Sequence, residues 1–419
     1  MEYRDLVIIG GGSAGMAAAV QAYDAGIKDI LIIERTEFLG GILNQCIHNG
    51  FGLHEFKEEL TGPEFLTRFV KQVEERHIEY VLNANVLDLT ADKKVTYLCA
   101  KGKVVVQAKA VIVATGCYER NAGAIGIPGT RPKGVITAGQ AQLYLNEFGY
   151  IVGKKVFILG SGDIGLIMAR RMKLEGAEVL GVAELMPYSN GLNRNIQQCL
   201  KDFDIPLYLS HTVSKVIGKD KLEAIEISKV DEKLRPIPGT EKRFDVDTLL
   251  LSIGLIPNNN LLDHAGAKKS STRGSQVNQD METSLDGVFS CGNVLHVHDL
   301  VDYVVEEGRQ AGKAAAAYLN GNHAHDPCKE IKTEAGNGIG YVVPAKIDMD
   351  KAGDTIVLKM RCRAPKKNVK ISISLNDKEI KSVTKLAMIP SEMEIIRLPK
   401  KLLENDFGIL SVKLVEKEA

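Results

Sequence analysis

The chain of 419 residues has no tryptophan, few aromatic residues and no net charge. Aromatic residues make up 5% of the sequence, which disfavours a stacking platform for single-stranded nucleic acid. The 53 basic and 53 acidic residues balance, so no overall charge attracts nucleic acid or an anionic membrane. No apolar run approaches the ~20 residues of a membrane span. We therefore expect a soluble protein that binds no nucleic acid.

The cysteines show no paired pattern. There are seven, an odd number, and none forms a CxxC or another metal-ligand spacing. No basic and apolar leader precedes the first strand, so we expect a cytoplasmic, reduced protein without a metal site. The length exceeds what one core usually organises, which predicts two or three domains.

The first apolar run, residues 6–9, leads into the glycine-rich turn Gly10-Gly-Gly-Ser-Ala-Gly15. A helical stretch 16–25 follows, and a second apolar run, residues 30–33, ends at Glu34. In a βαβ unit this spacing directs backbone N–H groups and a helix N-terminus at a pyrophosphate, while the acid accepts from ribose hydroxyls. The pattern predicts a dinucleotide site. A helix-packing turn without a ligand is the alternative.

The same pattern returns in mid-chain as Gly160-Ser-Gly-Asp-Ile-Gly165, a helix 166–175 and a strand 179–183 that ends at Glu184. The carboxylate of Glu184 would repel a 2′-phosphate and accept from a free 2′-hydroxyl, which favours NAD over NADP. In the alternative arrangement Glu184 points away and Arg194 folds back toward the nucleotide.

Three more apolar strands end in glycine motifs. They lead into Ala114-Thr115-Gly116, Ile253-Gly254 and Gly292-Asn293. Together, these motifs and the two glycine turns resemble, in the same order, the two-dinucleotide-domain flavoproteins, the superfamily of disulfide reductases and ferredoxin reductases. The resemblance covers residues 1–325.

This resemblance implies an α/β fold in which an NAD-binding domain is inserted into an FAD-binding domain. The implied domains are 1–122 and 280–325 for FAD, 123–279 for NAD, and a separate C-terminal domain, 328–419. The residues expected to bind FAD are Gly10, Gly12, Ser13, Ala14, Gly15, Glu34, Arg35, Gly41, Val86, Ala114, Thr115, Gly116, Gly292 and Asn293. Those expected to bind NAD are Gly160, Gly162, Asp163, Ile164, Gly165, Glu184 and Gly254.

The sequence departs from the family at two places. Asn293 stands where the family usually has Asp, so the ribityl contact would be an amide hydrogen bond and FAD binding somewhat weaker. The reductases carry a CxxxxC pair after a Gly-Gly, whereas Gly40-Gly41-Ile-Leu-Asn-Gln-Cys46-Ile-His48 has one cysteine, so disulfide reduction is not expected. Cys46 and His48 can form an activated thiol that cycles through sulfenate; alternatively, Cys46 is a small buried hydrophobe.

The segments 40–52, 114–120 and 292–302 look like a narrower group. It comprises the FAD/NAD subunits of amine and amino-acid dehydrogenases, such as sarcosine oxidase α and dye-linked proline dehydrogenase, and above all the oxidoreductase that accompanies anaerobic glycerol-3-phosphate dehydrogenases. That branch implies an NADH-oxidising flavoprotein with a partner flavoprotein, or a homo-oligomer. A subunit that oxidises an amine or amino acid directly, and an electron-transfer subunit without turnover, are the alternatives.

Hydride transfer between nicotinamide and flavin needs no protein acid or base, so no catalytic residue is certain. The candidates are Cys46, His48, His296 and His298. A helix from about Leu300 to Leu319 would direct its positive end at the flavin. His296, His298 and Asp299 precede it and would tune the flavin or relay protons. In the alternative, Asp299 is a helix N-cap and the histidines are hydrogen-bond partners within the loop.

The character of the sequence changes after a polar linker, 320–327. Alternating segments such as 355–361 and 368–375, followed by the turn Asn376-Asp377, predict strands. We therefore expect a lysine-rich, antiparallel β-sandwich that serves in docking or as a stabilising lid.

Overall fold

A computed structural model describes residues 2–321, 326–404 and 406–416. The chain forms two compact units: one holds Met1–Cys117 and Pro257–Ala419, and the other holds Tyr118–Ile256. The two connections between them lie in the short strands Cys117–Glu119 and Leu255–Pro257, which pair with each other. The α/β architecture expected from the sequence, with one domain inserted into another, is confirmed.

The boundaries of the inserted domain differ from those of the sequence analysis at both ends. Residues 118–122, assigned there to the FAD-binding domain, belong to the inserted unit, and residues 257–279, assigned there to the inserted domain, belong to the first unit. The reason is local: the Asn258 N–H donates to Gly116 O at 2.9 Å, and Thr115 Oγ1 donates to Asn258 O at 2.9 Å, directly after the chain returns. Of the predicted linker 320–327, residues 322–325 lie outside the described residues.

The first unit is built on a seven-stranded sheet. The order of strands is Glu79–Val81, Ile30–Ile33, Glu2–Ile9, Gly102–Val113, Lys94–Cys99 and Asn85–Leu89, with Val288–Ser290 paired to Gly102–Val113. The pairs that involve Ile30–Ile33 or Glu2–Ile9 are parallel. Leu6, Val7 and Ile8 are fully buried, as expected for strands covered on both faces.

The helices of this unit are Ser13–Asp24, Gly62–Glu75, Asn260–His264 and Val301–Leu319, with 3-10 turns at Gly41–Gln45 and Gly292–Val294 and a short hairpin, Asn49–Phe51 with Leu60–Thr61. The first and last of these helices pack closely because glycine lies at their contact. A Cβ on Gly308 would lie 2.3 Å from Ala14 O, and one on Gly312 would lie 2.2 Å from Ala18 O.

The C-terminal residues form two sheets over one apolar core that includes Ile331, Leu358 and Ile371. The five-stranded sheet has the order Lys346–Asp348, Glu330–Ala335, Ile409–Glu416, Lys366–Leu375 and Lys378–Met388, and the three-stranded sheet the order Ile339–Val343, Thr355–Cys362 and Glu394–Pro399. Short 3-10 turns lie at Pro327–Lys329 and Lys400–Leu402. Neighbouring strands are antiparallel except Glu330–Ala335 and Ile409–Glu416, which are parallel.

The inserted unit carries a five-stranded parallel sheet with the order Val135–Thr137, Thr248–Leu251, Lys155–Leu159, Glu178–Glu184 and Leu207–Leu209. A second, antiparallel sheet consists of His211–Ile217, Ala224–Lys229 and Lys242–Phe244. The helices are Ala122–Ile125, Ala138–Asn146, Asp163–Leu174 and Asn193–Cys199, followed by a 3-10 turn at Lys201–Phe203.

The helices Ser13–Asp24 and Asp163–Leu174 both begin three residues earlier than the sequence analysis predicts. The reason is that the last glycine of each turn, Gly15 or Gly165, already lies in the first helical turn. Within the described part of the chain, no helix combines the length and the apolar character that crossing a membrane requires.

Candidate functional site

The first glycine turn is shaped by close backbone contacts. Gly10 has a φ of +107°, and a Cβ there would lie 2.4 Å from Ala114 O. A Cβ on Gly15 would lie 1.9 Å from Gly10 O, so neither position has room for a side chain. A Cβ on Gly12, by contrast, meets no protein atom within 4 Å. The turn is thus closed toward the protein and open at the glycine where a pyrophosphate would approach.

Glu34 lies at the same turn, and its side chain is buried. Its Oε2 accepts the Gly11 N–H at 2.7 Å, and its Oε1 accepts from Thr36 N–H at 2.9 Å and Thr36 Oγ1 at 2.8 Å. Two further residues were expected to bind FAD: Arg35, which is exposed, and Val86, which is half-buried.

Three other predicted segments meet the start of the helix Ser13–Asp24. The Gly40 N–H donates to Gly11 O at 2.8 Å, and a Cβ on Gly41 would lie 3.5 Å from Gly12 Cα. A Cβ on Gly292 would lie 2.9 Å from Ala14 Cβ. The Ala114-Thr115-Gly116 segment abuts Gly10 through Ala114 O. No side chain caps the N-terminus of the helix, so its first N–H groups are available to an anion.

The glycine turn of the inserted unit repeats this arrangement. Gly160 has a φ of +98°. Glu184 is buried, and its Oε2 accepts from Ser161 N–H at 2.9 Å and Ser161 Oγ at 2.6 Å. Its Oε1 accepts the Met186 N–H at 2.9 Å. The carboxylate therefore faces the turn, whereas Arg194 is exposed on the helix Asn193–Cys199.

The remaining predicted NAD residues surround the same turn. Asp163 Oδ1 accepts from Leu192 N–H at 2.8 Å and from Asn195 Nδ2 at 2.7 Å. A Cβ on Gly162 would lie 3.3 Å from Ser252 Oγ, and Ile164 is half-buried. Gly254 has a φ of +100°, and its O accepts the Arg120 N–H at 3.0 Å.

A buried charged cluster lies behind the Gly292-Asn293 turn. Glu307, fully buried on the helix Val301–Leu319, accepts the Gly292 N–H at Oε2 (2.7 Å). Its Oε1 is 3.0 Å from His296 Nε2 and accepts from Lys359 Nζ at 2.7 Å. Burial alone would raise the pKa of Glu307, but the Lys359 ammonium and the neighbouring imidazoles hold it well below its usual range.

The two histidines of the cluster have defined partners. Burial outweighs the attraction of Glu307 and lowers the pKa of His296 to about 4, so its ring is neutral at neutral pH. Asn293 Oδ1 accepts the backbone N–H of His298 at 3.0 Å, which identifies this atom as the acceptor; His298 Nδ1, 3.2 Å away, therefore donates to it. His298 Nε2 is 3.4 Å from Glu307 Oε2.

The interpretation of Asp299 as a helix N-cap is wrong. The cap residue is Leu300, without a side-chain cap. The Asp299 carboxylate instead pairs with Arg361 and accepts the Met393 N–H at 2.7 Å. Arg361 also donates to Tyr341 Oη at 3.2 Å. Both partners of Asp299 come from the C-terminal domain, so its carboxylate is bound there instead of capping the helix.

This cluster is an ion-pair network rather than a metal centre. His296, His298 and Glu307 bring possible ligand atoms within 4.8 Å of one another. However, the Lys359 ammonium occupies one carboxylate oxygen and would repel a cation, while the Gly292 N–H occupies the other.

Cys46 is buried, and its Sγ donates to Ile42 O at 3.3 Å, while the His48 ring lies 5.0 Å from that of Phe51. A catalytic thiol at this position stays a prediction. All seven cysteines lie in the described residues, and none forms a disulfide.

Sequence reasoning missed the roles of Lys359, Arg361, Tyr341 and Asp302. Asp302 accepts the backbone N–H groups of His54 at 3.0 Å and Glu55 at 2.8 Å, and so anchors the loop that follows Cys46. Nothing in the sequence indicated the roles of Lys359, Arg361 and Tyr341. In a strand that alternates between apolar and polar residues, a lysine, an arginine or a tyrosine is expected to face the solvent.

The fold and the two turns define a class: an α/β protein that carries a glycine turn of the dinucleotide-binding type on each of two units. The sequence pattern of the pyridine nucleotide-disulphide oxidoreductase family matches residues 4–317. The glutamate synthase [NADPH] small chain of Mycobacterium tuberculosis is 27% identical over 359 residues, covering 77% of this chain and 68% of its own length. The NADH oxidase of Methanocaldococcus jannaschii is 27% identical over 338 residues, covering 74% and 69%.

Among solved structures, the thioredoxin reductase of T. acidophilum is similar with a TM-score of 0.63 and 23% identity, over 76% of this chain and 99% of its own. The chain belongs to the pyridine nucleotide-disulphide oxidoreductase family. It is a flavin-dependent NAD(P)H oxidoreductase, and its cofactors are FAD and a nicotinamide dinucleotide. The residues after 317, and with them Lys359 and Arg361, lie outside the family match.

Proposed function

We propose that this enzyme oxidises NADH, transfers hydride to FAD and passes the electrons to a partner flavoprotein, in the branch that accompanies anaerobic glycerol-3-phosphate dehydrogenases. In this proposal the turn Gly10–Gly15 and Glu34 bind FAD, and the turn Gly160–Gly165 and Glu184 bind NADH. FAD, when bound, accepts hydride and releases electrons singly or in pairs. The protein residues bind and orient the two nucleotides.

The observation that carries the proposal is the placement of Glu184. Its buried carboxylate is held at the glycine turn by Ser161 and Met186, so it cannot swing away without breaking three hydrogen bonds. A carboxylate fixed at this place accepts from a ribose 2′-hydroxyl and repels a 2′-phosphate. The relatives include an enzyme named for NADPH and one named for NADH, so the preference of this chain for NADH rests on Glu184.

The argument for an external acceptor rests on the cysteines. The segment after Gly40-Gly41 holds one cysteine, so it lacks the dithiol that would take electrons from the flavin within the chain. Cys46 is buried, and its thiol is engaged with Ile42 O. These features favour electron transfer to a group outside this chain, and the resemblance supports a partner flavoprotein as that group.

The test is the anaerobic absorbance of the flavin at about 450 nm after addition of NADH or NADPH in separate cuvettes. NADH should bleach the flavin rapidly and NADPH slowly. Glu184→Ser should reduce this difference, whereas Glu178→Ser, an exposed position at the other end of the same strand, should leave it unchanged.

Equal bleaching by both nucleotides would contradict the role of Glu184. Bleaching by neither would contradict NADH oxidation and would favour an amine or amino-acid substrate. If NADH bleaches the flavin, mixing the reduced protein with a purified anaerobic glycerol-3-phosphate dehydrogenase should reoxidise it; failure to do so would contradict the proposed partner.

A further inference from the structure

The C-terminal domain contributes a cation to the charged cluster behind the Gly292-Asn293 turn. Lys359 lies on the strand Thr355–Cys362, in which Ile356, Leu358 and Met360 point into the core of the domain. Lys359 points the other way, toward the helix Val301–Leu319, and is only 4% exposed. Its ammonium ends 2.7 Å from the fully buried carboxylate of Glu307.

The groups that face Glu307 come from three elements. Lys359 comes from the C-terminal strand, the Gly292 N–H from the 3-10 turn, and His296 and His298 from the segment that follows it. Cys291, just before the turn, also lies nearby, and burial together with the Glu307 charge raises the pKa of its thiol.

A second layer of charges surrounds these groups. Tyr341 Oη is 3.4 Å from His296 Nδ1, and Arg361 links Tyr341 to Asp299. The charges of Arg361 and Asp299 cancel, and so do those of Lys359 and Glu307. The cluster is therefore close to electrically neutral, and Lys359 is the cation in contact with the Glu307 carboxylate.

We propose that Lys359 is a positioning residue for FAD, through which the C-terminal domain keeps the Glu307 carboxylate ionised. That carboxylate holds the Gly292 N–H directly. It also faces His296 and His298, and His298 in turn donates to Asn293. The Gly292-Asn293 turn lies against the start of the first nucleotide-binding helix, so a change in the turn reaches the FAD site without any contact between Lys359 and the cofactor.

Removal of Lys359 has a specific electrostatic consequence. Burial raises the pKa of a carboxyl group, and in the native protein this effect is overcome by Lys359 and the imidazoles. Without the ammonium the pKa of Glu307 rises, and the carboxylate takes up a proton as the pH falls. A protonated carboxyl has one acceptor fewer, so its hold on the Gly292 N–H and on His296 weakens. FAD binding then becomes weaker at low pH.

The experiment measures FAD affinity by flavin fluorescence during titration of the full-length apoprotein, from about pH 8 to about pH 5.5. For each protein, the FAD affinity at the low end of this range is divided by its affinity at the high end. This ratio should be about tenfold smaller for Lys359→Met than for the native protein. Lys359→Arg should restore the native profile because it keeps the charge.

The matched control is Lys351, a second lysine of the C-terminal domain, paired with Glu282 of the FAD-bearing half at 3.1 Å. The hydrogen bonds of the Glu282 carboxylate are to Asn278, Gly287 and Lys351, away from the Gly292-Asn293 turn, so Lys351→Met should affect thermal stability without a pH-dependent loss of FAD. A pH profile for Lys359→Met like that of the native protein, or the same loss in Lys351→Met, would overturn the proposal.

If Lys359→Met does not fold, the double variant Lys359→Met with Glu307→Gln removes both charges and leaves no buried ion without a partner. The proposal then predicts weaker FAD binding than in the native protein, with no additional dependence on pH. Native FAD affinity in the double variant would overturn it. Because the readout is FAD binding, it is independent of whether NADH is the substrate.

Discussion

The two glycine turns of this enzyme share their hydrogen bonds but differ in what covers them. In both, a buried glutamate at the end of the second strand accepts the N–H of the residue after the first glycine, at 2.7 Å for Glu34 and 2.9 Å for Glu184. The start of the first helix is overlaid by Gly292 and by the helix Val301–Leu319, so Ser13 and Ala14 are buried. Asp163 and Ile164, at the start of the second helix, are half-buried.

This difference fits the proposed function, in which the first turn holds FAD and the second turn binds NADH. A retained cofactor benefits from a turn that is fixed on several sides, since each contact lowers the chance that the site opens. A nucleotide that must leave in every catalytic cycle needs a site that stays accessible. In this proposal the shared hydrogen bonds serve the recognition of a dinucleotide, and the covering elements determine how long each dinucleotide stays bound.

The largest predicted effect compares alanine at the last glycine of each turn. A Cβ on Gly15 would lie 1.9 Å from Gly10 O, whereas one on Gly165 would lie 2.7 Å from Gly160 O. Gly15→Ala should weaken FAD binding about 100-fold, since the covered turn cannot relax (~3 kcal/mol). Gly165→Ala should retain FAD and weaken NADH binding about tenfold.

FAD content after desalting and the NADH dependence of flavin bleaching measure the two effects separately. Each variant is the control for the other, because its change lies in the other unit. Loss of FAD from Gly165→Ala to the same extent would show that the two sites are not separable in this way.

The second prediction concerns acid. The pKa of His296 is lowered by burial from 6.5 to about 4, so between these values the unfolded chain binds a proton that the folded chain does not. The free energy of unfolding should therefore fall by about 3 kcal/mol through this residue as the pH decreases from about 6.5 to about 4. His296→Gln keeps a donor for Glu307 and should remove this part of the decrease.

Urea unfolding at several pH values, followed by flavin release, measures the difference between the two proteins. Asp280 works in the opposite direction, since burial raises its pKa to about 6 and the folded chain protonates first. Because Asp280 is present in both proteins, its contribution cancels in the comparison. Parallel pH profiles of the native protein and His296→Gln would contradict the prediction.

The third prediction tests the helix Val301–Leu319, which covers the first glycine turn. A Cβ on Gly308 would lie 2.3 Å from Ala14 O and 3.0 Å from Ala14 Cα. Gly308→Ala should separate the two helices and lower the free energy of unfolding by about 2 kcal/mol, part of the strain being offset by the higher helix propensity of alanine. Lys313→Ala, on the exposed side of the same helix, is the control. Similar thermal unfolding of both variants would contradict close packing at Gly308.

The local features of both sites could be predicted from the sequence. A tight turn that only glycine permits, an apolar strand and a terminal acid are set by neighbouring residues, so Gly10, Gly160, Glu34 and Glu184 lie where their motifs indicate. The predicted starts of the two helices were three residues too late. The last glycine of each turn, Gly15 or Gly165, resembles a turn residue in the sequence although it lies in the first turn of the helix.

Contacts between distant segments could not be predicted in the same way. Lys359 is 52 residues from Glu307, and alternation along its strand assigns it to the face opposite the domain core without indicating what covers that face. Asp299 precedes a helix, which favours an N-cap, yet Arg361 binds it instead. Both cases are decided by the packing of the C-terminal strands against the segment 299–307.

The smallest predicted effect concerns the one charge that distinguishes the two turns. The first turn of the helix Ser13–Asp24 carries no acid, whereas Asp163 opens the helix Asp163–Leu174. Asp163→Asn keeps an oxygen that accepts from Leu192 and Asn195. It removes a negative charge beside the proposed pyrophosphate site, so NADH should bind about threefold more tightly, with FAD content unchanged.

The NADH concentration dependence of anaerobic flavin bleaching measures this change, and Asp202→Asn, an exposed acid of the same unit, is the matched control for net charge. Weaker NADH binding in Asp163→Asn would mean that Asp163 acts mainly by fixing the segment around Leu192. In that case the two turns would differ in the loop that borders them rather than in charge, and the accessibility of the NADH site would depend on how firmly that loop is held.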